Sequence, residues 1–484
     1  MSMVSRHRLA GLGAGLGLAA AVAAAPAVTA QDGGGLTKDD IDQILRELRE
    51  TREQVKDLQQ EVTLLRNEDG EQWLSEERAK EIRALVSDVL EDSDHRASLL
   101  QDGATAGWTP TDGFFLASPD GDFLLAVDGL MQFRWIYNWH DEPGDDEHRQ
   151  GFEFTRTKLT LSGHVFSRDI EYLVRGDVTR NEPGLVTGLW FLQDAWIRFR
   201  LTNDIAITAG QFKAPFNREE LVSAGAQLAV ERSLLNESVN IGRTQGVQLT
   251  WSPADSPDWR VMLMTGDGGT DNIGGVIDPG GAPINSPALD EDVDIHFTGR
   301  AEYKLAGTWE QFEDFTSPVD DPKGMLLGAA LHYQRGEHGT PFGPSQDNWT
   351  AATVDFSLEC GGANLFLAGI YHQVDTNDSF PGIVDVYGAV IQGGYYFTPK
   401  FEVFGRYEWG QATSTAPGLA FHTLNVATVG FNYYVDGHDV KFTTDFGIGL
   451  TEVDFWASDL AGWRSDSAGT QNQIVFRTQL QLLF

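Results

Sequence analysis

A chain of 484 residues carrying 71 acidic and 35 basic side chains, net −36, excludes nucleic acid as a natural partner. Its single cysteine, Cys360, excludes an internal disulfide framework and reads as a small residue in a turn. The length admits more than one domain, or one large closed barrel.

Residues 1–30 read as a cleaved signal peptide. Arg6 and Arg8 precede an apolar stretch from Leu9 to Val22, and Val28-Thr29-Ala30 supplies small residues before Gln31. No later run is long and apolar enough for a transmembrane helix, so any membrane-spanning part must be a closed barrel.

Residues 31–70 carry a heptad pattern, with Ile41, Leu48, Val55 and Val62 at a and Ile44, Thr51, Leu58 and Leu65 at d. A seam repeating every 3.5 residues is buried only against another helix, so this segment is expected to assemble subunits, as a dimer or a trimer. The alternative is a single amphipathic helix lying on its own domain. Residues 71–107 add a second amphipathic helix, with Trp73, Ile82, Leu85, Val86 and Val89 on its apolar side, and a linker whose boundary lies at 101–107.

From Asp122 the period becomes 2. Phe123, Leu125, Val127, Met131, Phe133, Trp135 and Tyr137 alternate with Asp128, Gln132, Arg134 and Asn138, the pattern of a strand with lipid on one face. The alternation predicts strands near 122–139, 151–166, 170–180, 189–201, 205–213, 245–252, 258–266, 293–305, 324–336, 348–359, 363–374, 385–398, 401–411, 422–434, 439–450 and 473–484. Sixteen is the even number that a bacterial single-chain barrel requires. Short links follow even-numbered strands and long Gly/Asp/Pro-rich links follow odd-numbered ones, which places turns on one rim and loops on the other. The long link 306–323 falls on the turn side against this rule. A terminal Phe484 closing an alternating segment adds support.

The stretch 204–248 is the third long loop. Its Gly210-Gln211-Phe212-Lys213-Ala214-Pro215-Phe216, Glu219-Glu220-Leu221, Glu231-Arg232-Ser233 and Arg243-x-x-Gly246-Val247-Gln248-Leu249 resemble the phosphate-selective porin O/P family. The resemblance covers the region from Gly113 to Phe484. It implies an all-β transmembrane barrel of sixteen antiparallel strands over 108–484, and the N-terminal α-helical coiled-coil extension read from the heptads lies outside it. It also implies an outer-membrane location with lipid around the barrel, a homotrimer, and passive diffusion of small ions or anionic solutes such as phosphate. In such porins the third loop folds inward as a constriction.

If the apolar parity faces lipid, the opposite parity points Arg134, Arg156, Lys158, Arg175, Arg198 and Arg200 into the lumen, with Asp128, Glu171, Asp177 and Asp194 among them. The loop adds Lys213, Arg218, Glu219 and Glu220, then Glu231 and Glu237 among Arg232 and Arg243. A basic wall opposite an acid-bearing loop makes a transverse field, and arginine suits the wall because it stays charged and can grip an oxyanion at two points. Lumen charges that pair with one another for structural reasons are the competing reading. Most of the net negative charge lies beyond residue 100, opposite in sign to a phosphate path. On this reading, Arg156→Glu with Lys158→Glu would lower anion preference.

No cofactor is called for. His164, His296, His332 and His372 have no spacing that makes a metal site or a nucleophile motif, so catalysis is not expected. A tether is the alternative function, with the coiled coil making periplasmic or cell-wall contact and the barrel as anchor. The heptad run, at 1.5 Å per residue, spans only ~37 Å.

Overall fold

The computed structural model describes residues 104–109, 113–140, 148–178, 190–253, 258–268, 292–340, 343–376, 382–415, 421–458, 460–465 and 471–484, together with 52, 53, 55 and 56. The chain divides into residues 1–95 and 96–484. In the first unit Arg52, Glu53, Val55 and Lys56 are helical. The signal peptide, the rest of the heptad run and the second amphipathic helix lie outside the described residues.

The second unit is a closed barrel. Its strands are β3 (Leu124–Trp139), β4 (His148–Val165), β5 (Ser167–Val178), β6 (Trp190–Arg200), β7 (Ile205–Lys213), β8 (Arg243–Trp251), β9 (Trp259–Gly266), β10 (Asp292–Ala306), β11 (Gly324–Thr340), β12 (Gly343–Glu359), β13 (Ala363–Thr376), β14 (Gly382–Thr398), β15 (Phe401–Ser414), β16 (His422–Asp436), β17 (Val440–Gly449) and β18 (Ile474–Leu483). Each pairs antiparallel with the next, and β18 closes the ring on β3, with Ile474 opposite Trp139 and Leu483 opposite Leu130. All sixteen expected strands are present. The loop-side ends of β4, β8 and β10 to β15 run further than the alternation did, as in β12, which begins at Gly343 rather than 348. Backbone pairing continues there after the demand for a lipid-facing side chain has ended.

A hairpin that the alternation did not reveal precedes the ring, made of β1 (Thr105–Thr109) and β2 (Gly113–Ala117). The expected linker boundary at 101–107 therefore overlaps a strand. β2 pairs with β3 at Leu124 to Val127, the part of β3 beyond the end of β18. Phe484 anchors that junction, exchanging backbone hydrogen bonds with Gly129 at 2.7 and 3.0 Å. Strands of five residues are too short for a period of 2 to stand out.

The outward face is apolar. Phe152, Trp190, Tyr333 and Tyr387 stand exposed toward the loop rim, and Phe199, Trp251, Trp259, Phe397, Tyr433 and Phe484 toward the turn rim. Aromatic girdles of this kind sit at the two interfaces of a bilayer. Cys360 lies exposed in the tight turn after β12. Gly210 has φ 135°, and a Cβ there would fall 2.2 Å from the Ala195 carbonyl oxygen; its partner Gly246 would meet the Thr265 carbonyl oxygen at the same distance. Both glycines of the recognised motif therefore permit close strand approach where the third loop leaves the wall.

The unexplained link 306–323 is an inward strap. A 3₁₀ turn at Glu310–Glu313 carries Phe312, and Phe315 follows; both are buried. Phe315 lies 4.8 Å from the Phe366 ring and clusters with Val222, Leu228 and Ala229 of the third loop and with Phe404 of β15. Between the two phenylalanines, Asp314 meets His438 in the β16–β17 turn at 3.3 Å. A link on the turn side must be long to cross the barrel mouth this way. Truncating its wedge, Phe315→Ala, is expected to cost about 3–5 kcal/mol. The loss would be read as a lower temperature at which heated protein stops migrating as a compact barrel.

The segment 451–465, between β17 and β18, also turns inward. Val453, Phe455, Trp456, Ala461 and Trp463 are buried against lumen-facing Val384, Val386, Leu424 and Val426.

Candidate functional site

The third loop is built by local signals. Pro215 cannot continue the ladder of β7 because it lacks an N–H. Asn217 caps α1 (Arg218–Leu221), its side chain accepting from the Glu219 N–H at 3.3 Å. Ser233 caps α2 (Leu234–Val239), with Oγ accepting from the Asn236 N–H at 3.0 Å. Gly242, at φ 70°, returns the chain to β8.

Once inside, the loop is fastened to wall after wall. Arg300 of β10 donates to the Phe216 carbonyl at 2.9 Å. Arg218 donates to Ser357 of β12 at 3.0 Å and to the Phe312 carbonyl of the strap at 2.7 Å. Lys441 of β17 donates to the Gly225 and Gln227 carbonyls at 3.2 and 2.9 Å, and Asn432 of β16 to the Leu228 carbonyl at 2.9 Å. Arg406 of β15 donates to the Glu231 carbonyl at 2.8 Å, and Asp445 of β17 accepts from the Val230 N–H at 3.0 Å. Most of these fasteners stand on β10 to β18. The loop is therefore fastened to that half of the lumen and leaves a gap toward β5 and β6, where Arg175, Arg198 and Arg200 keep more than a third of their side chains exposed.

Glu231 ties the loop to the remaining wall. Its carboxylate takes Arg134 at 3.0 Å and Arg156 at 2.8 Å. Burial pushes this carboxyl up, but the two guanidinium groups outweigh burial and hold it down to about 2. Glu220 is likewise held well below the usual range: burial opposes ionisation, while Arg232 at 3.2 Å and Lys213 at 3.0 Å favour it more strongly. Glu219 accepts from the Ser233 N–H and hydroxyl at 2.7 and 2.6 Å. Arg232 donates to the carbonyls of Glu219 and Val222 at 3.0 and 2.9 Å.

The residues expected to meet solute thus divide into two groups. The side chains of Arg134, Arg156 and Glu219 are 0%, 7% and 1% exposed, and Arg218 is 3% exposed, so these four fasten the loop. Arg175, Arg198 and Arg200 keep 35%, 38% and 56% of their side chains exposed. Lys158, Lys213 and Glu220 lie between, partly buried at the edge of the gap. The paired-charge reading holds for the first group. The double inversion of Arg156 and Lys158 would therefore unfasten the loop as well as change the wall, and it no longer isolates selectivity.

On the uncovered wall, carboxylates are shared. Glu171 takes both Arg198 (3.5 Å) and Arg200, and Asp194 takes both Arg175 (3.4 Å) and Arg243 (2.9 Å). Two carboxylates carry four guanidinium groups, so this wall is positive although the chain is strongly acidic. Lys158 adds a further cation, 3.9 Å from Asp177. Trp196 underlies Arg198, with the guanidinium 4.8 Å from the ring.

Several functional charges lie beyond the sequence expectation: Arg260, Arg300 and Glu302 on β9 and β10, Arg406 and Glu408 on β15, Lys441 and Asp445 on β17, and Arg477 on β18. The parity rule would have found them had it been applied past the fourth strand. Of the histidines, His296 and His332 share the Thr298 hydroxyl at 3.2 and 2.9 Å on the lumen wall. His372 packs edge-on against Trp349, and His164 meets the Gly121 carbonyl at 2.9 Å. Among the described residues no His, Cys, Asp or Glu group comes together to hold a metal ion.

Residues 130–275 match the family model described as phosphate-selective porin O and P. A protein of Aquifex aeolicus (strain VF5), described as uncharacterized, is 26% identical over 260 residues, which is 51% of this chain and 60% of that protein. Among solved structures, OmpT of the outer membrane of Vibrio cholerae is similar with a TM-score of 0.51 at 9% identity, over 75% of this chain and 98% of its own. An anion-selective porin from Comamonas acidovorans gives 0.48 at 11% identity, over 74% and 99%. At such identity the OmpT likeness speaks for the barrel fold.

Proposed function

We propose that this chain is an outer-membrane porin of the phosphate-selective porin O and P kind, through which small anions diffuse passively along the wall of β5 to β8. The observation that carries this reading is the sharing of Glu171 and Asp194 by four arginines opposite an inward loop. A solute in that gap sees a surplus of fixed positive charge between low-dielectric walls, which concentrates anions. Arg175, Arg198 and Arg200 offer planar donor pairs to a phosphate or carboxylate, and Lys158 and Lys213 offer point charges.

The turn rim, with the chain's N-terminal side, faces the periplasm, and the loop rim faces outward. The acids of 141–147 and 267–292 fall, in sequence, on the connections of the loop rim. A coiled coil over the heptads at 41–65, as a dimer or a trimer, would join copies and reach toward the cell wall. Deleting 36–100 is the test of that role: conductance persists and envelope attachment is lost, whereas attachment that survives the deletion removes the tether.

The porin reading is tested by the reversal potential of the purified chain in a planar bilayer under a KCl gradient. Chloride preference is expected. Potassium preference overturns the anion reading, and a bilayer that never conducts overturns the porin.

A further inference from the structure

The third loop carries acids in unequal circumstances. Glu219, Glu220 and Glu231 are each locked by hydrogen bonds or ion pairs. Glu237 has neither on its side chain among the described residues, and it is only partly buried. In α2, Leu234, Leu235 and Val239 turn into the apolar cluster against β14, β15 and the 451–465 segment. At 100° per residue, position 237 falls on the opposite side of the helix. The charges that act on it are Glu220, Glu231 and Arg232 of the loop and Arg156 of β4. On the helix's other side Glu408 of β15 accepts from the Leu235 N–H at 3.3 Å and pairs with Arg406 at 3.0 Å, and the neighbouring 3₁₀ turn carries Asp454.

We propose that Glu237 is the selectivity-setting acid of the constriction, an unpaired carboxylate opposite the basic wall whose protonation raises the channel's preference for anions. This rests on the porin reading. A carboxylate locked between cations keeps its charge through the neutral range and cannot modulate anything there. Glu237 differs: burial, then Glu220 and Glu231, push its carboxyl up to about 7, with Arg232 and Arg156 opposing. Below that pH the group is neutral and adds nothing against the wall's positive field. Above it, one negative charge stands across the gap and partly cancels that field. The pore therefore carries a selectivity that falls as pH rises through neutrality, without any movement of the loop.

The test is reversal potential in a KCl gradient at 0.1 M, at pH 5.5 and pH 8.5, on the full chain. The wild type is expected to lose about four-fold in chloride-over-potassium permeability between the two, since one unit charge at ~10 Å in a water-like dielectric changes local chloride and local potassium by about two-fold each in opposite directions. Glu237→Gln is expected to shrink the change between the two values, and Glu237→Asp to retain it in full. A wild type that conducts with pH-independent selectivity overturns this inference and leaves the porin reading standing, as does a Glu237→Gln channel that titrates like the wild type. A wild type that never conducts overturns both.

Discussion

Glu231→Gln is expected to lower the barrel's heat stability and to widen the pore at once. The carboxylate sits between Arg134 and Arg156, two buried guanidinium groups at 3.0 and 2.8 Å. Removing the one negative partner of a buried pair costs about 3–5 kcal/mol, because the remaining charge stays desolvated without compensation. Arg134 retains Glu153, but Arg156 keeps no carboxylate within ion-pair distance among the described residues. The loop should then leave the β3–β4 wall while its β10–β18 fasteners hold. Single-channel recording checks the width, and the temperature at which native migration is lost checks the stability. A variant with wild-type conductance and wild-type heat resistance would show that Glu231 does not hold the loop.

Arg175→Glu together with Arg198→Glu is expected to collapse anion preference. Both side chains are over a third exposed on the uncovered wall, and neither touches the loop's fasteners. Two inversions change the wall by four unit charges. At ~10 Å in a water-like dielectric that is about 1.7 kcal/mol on each ion, roughly fifteen-fold down for local chloride and fifteen-fold up for local potassium before screening. The effect should shrink in 1 M salt, where the screening length falls to ~3 Å. Arg175→Gln with Arg198→Gln, which avoids placing new acids beside Asp194 and Glu171, should give about half the change on a logarithmic scale. Selectivity unchanged in both double variants would move the filter to another wall.

The barrel was legible because each strand must satisfy lipid on one side and water on the other, and that alternation survives in the raw sequence. The constriction was legible only as a place. Its recognisable motif, from Gly210 to Gly246, proves to be the loop's own scaffold: glycines for close strand contact, Asn217 and Ser233 as caps, and Glu231, Arg218 and Glu219 as fasteners. Such residues are tightly specified by packing, and this is why they stand out. The charges left facing solute carry no pattern of their own beyond strand parity. Parity put Arg175, Arg198 and Arg200 on one face with Arg134 and Arg156 and could not separate them, since burial by a loop is a tertiary fact. The strap was illegible for a related reason. Phe312 and Phe315 belong to neither period, and their burial depends on strands far along the chain.

The apolar patch on the inner face of β14 and β16 has a consequence for how the chain reaches its final form. Val384, Val386, Leu424 and Val426 are covered in part by Trp456 and Trp463, which lie in the segment just before the closing strand. Until that segment arrives, the inside of the growing sheet exposes hydrocarbon on a surface meant for water. Docking of the two tryptophans and pairing of β18 with β3 therefore belong to one late event, in which a long-range contact is rewarded only after most of the chain is in place. Substitutions at Trp456 and Trp463 would register first in the rate of barrel closure, before they register in the conductance of the finished pore.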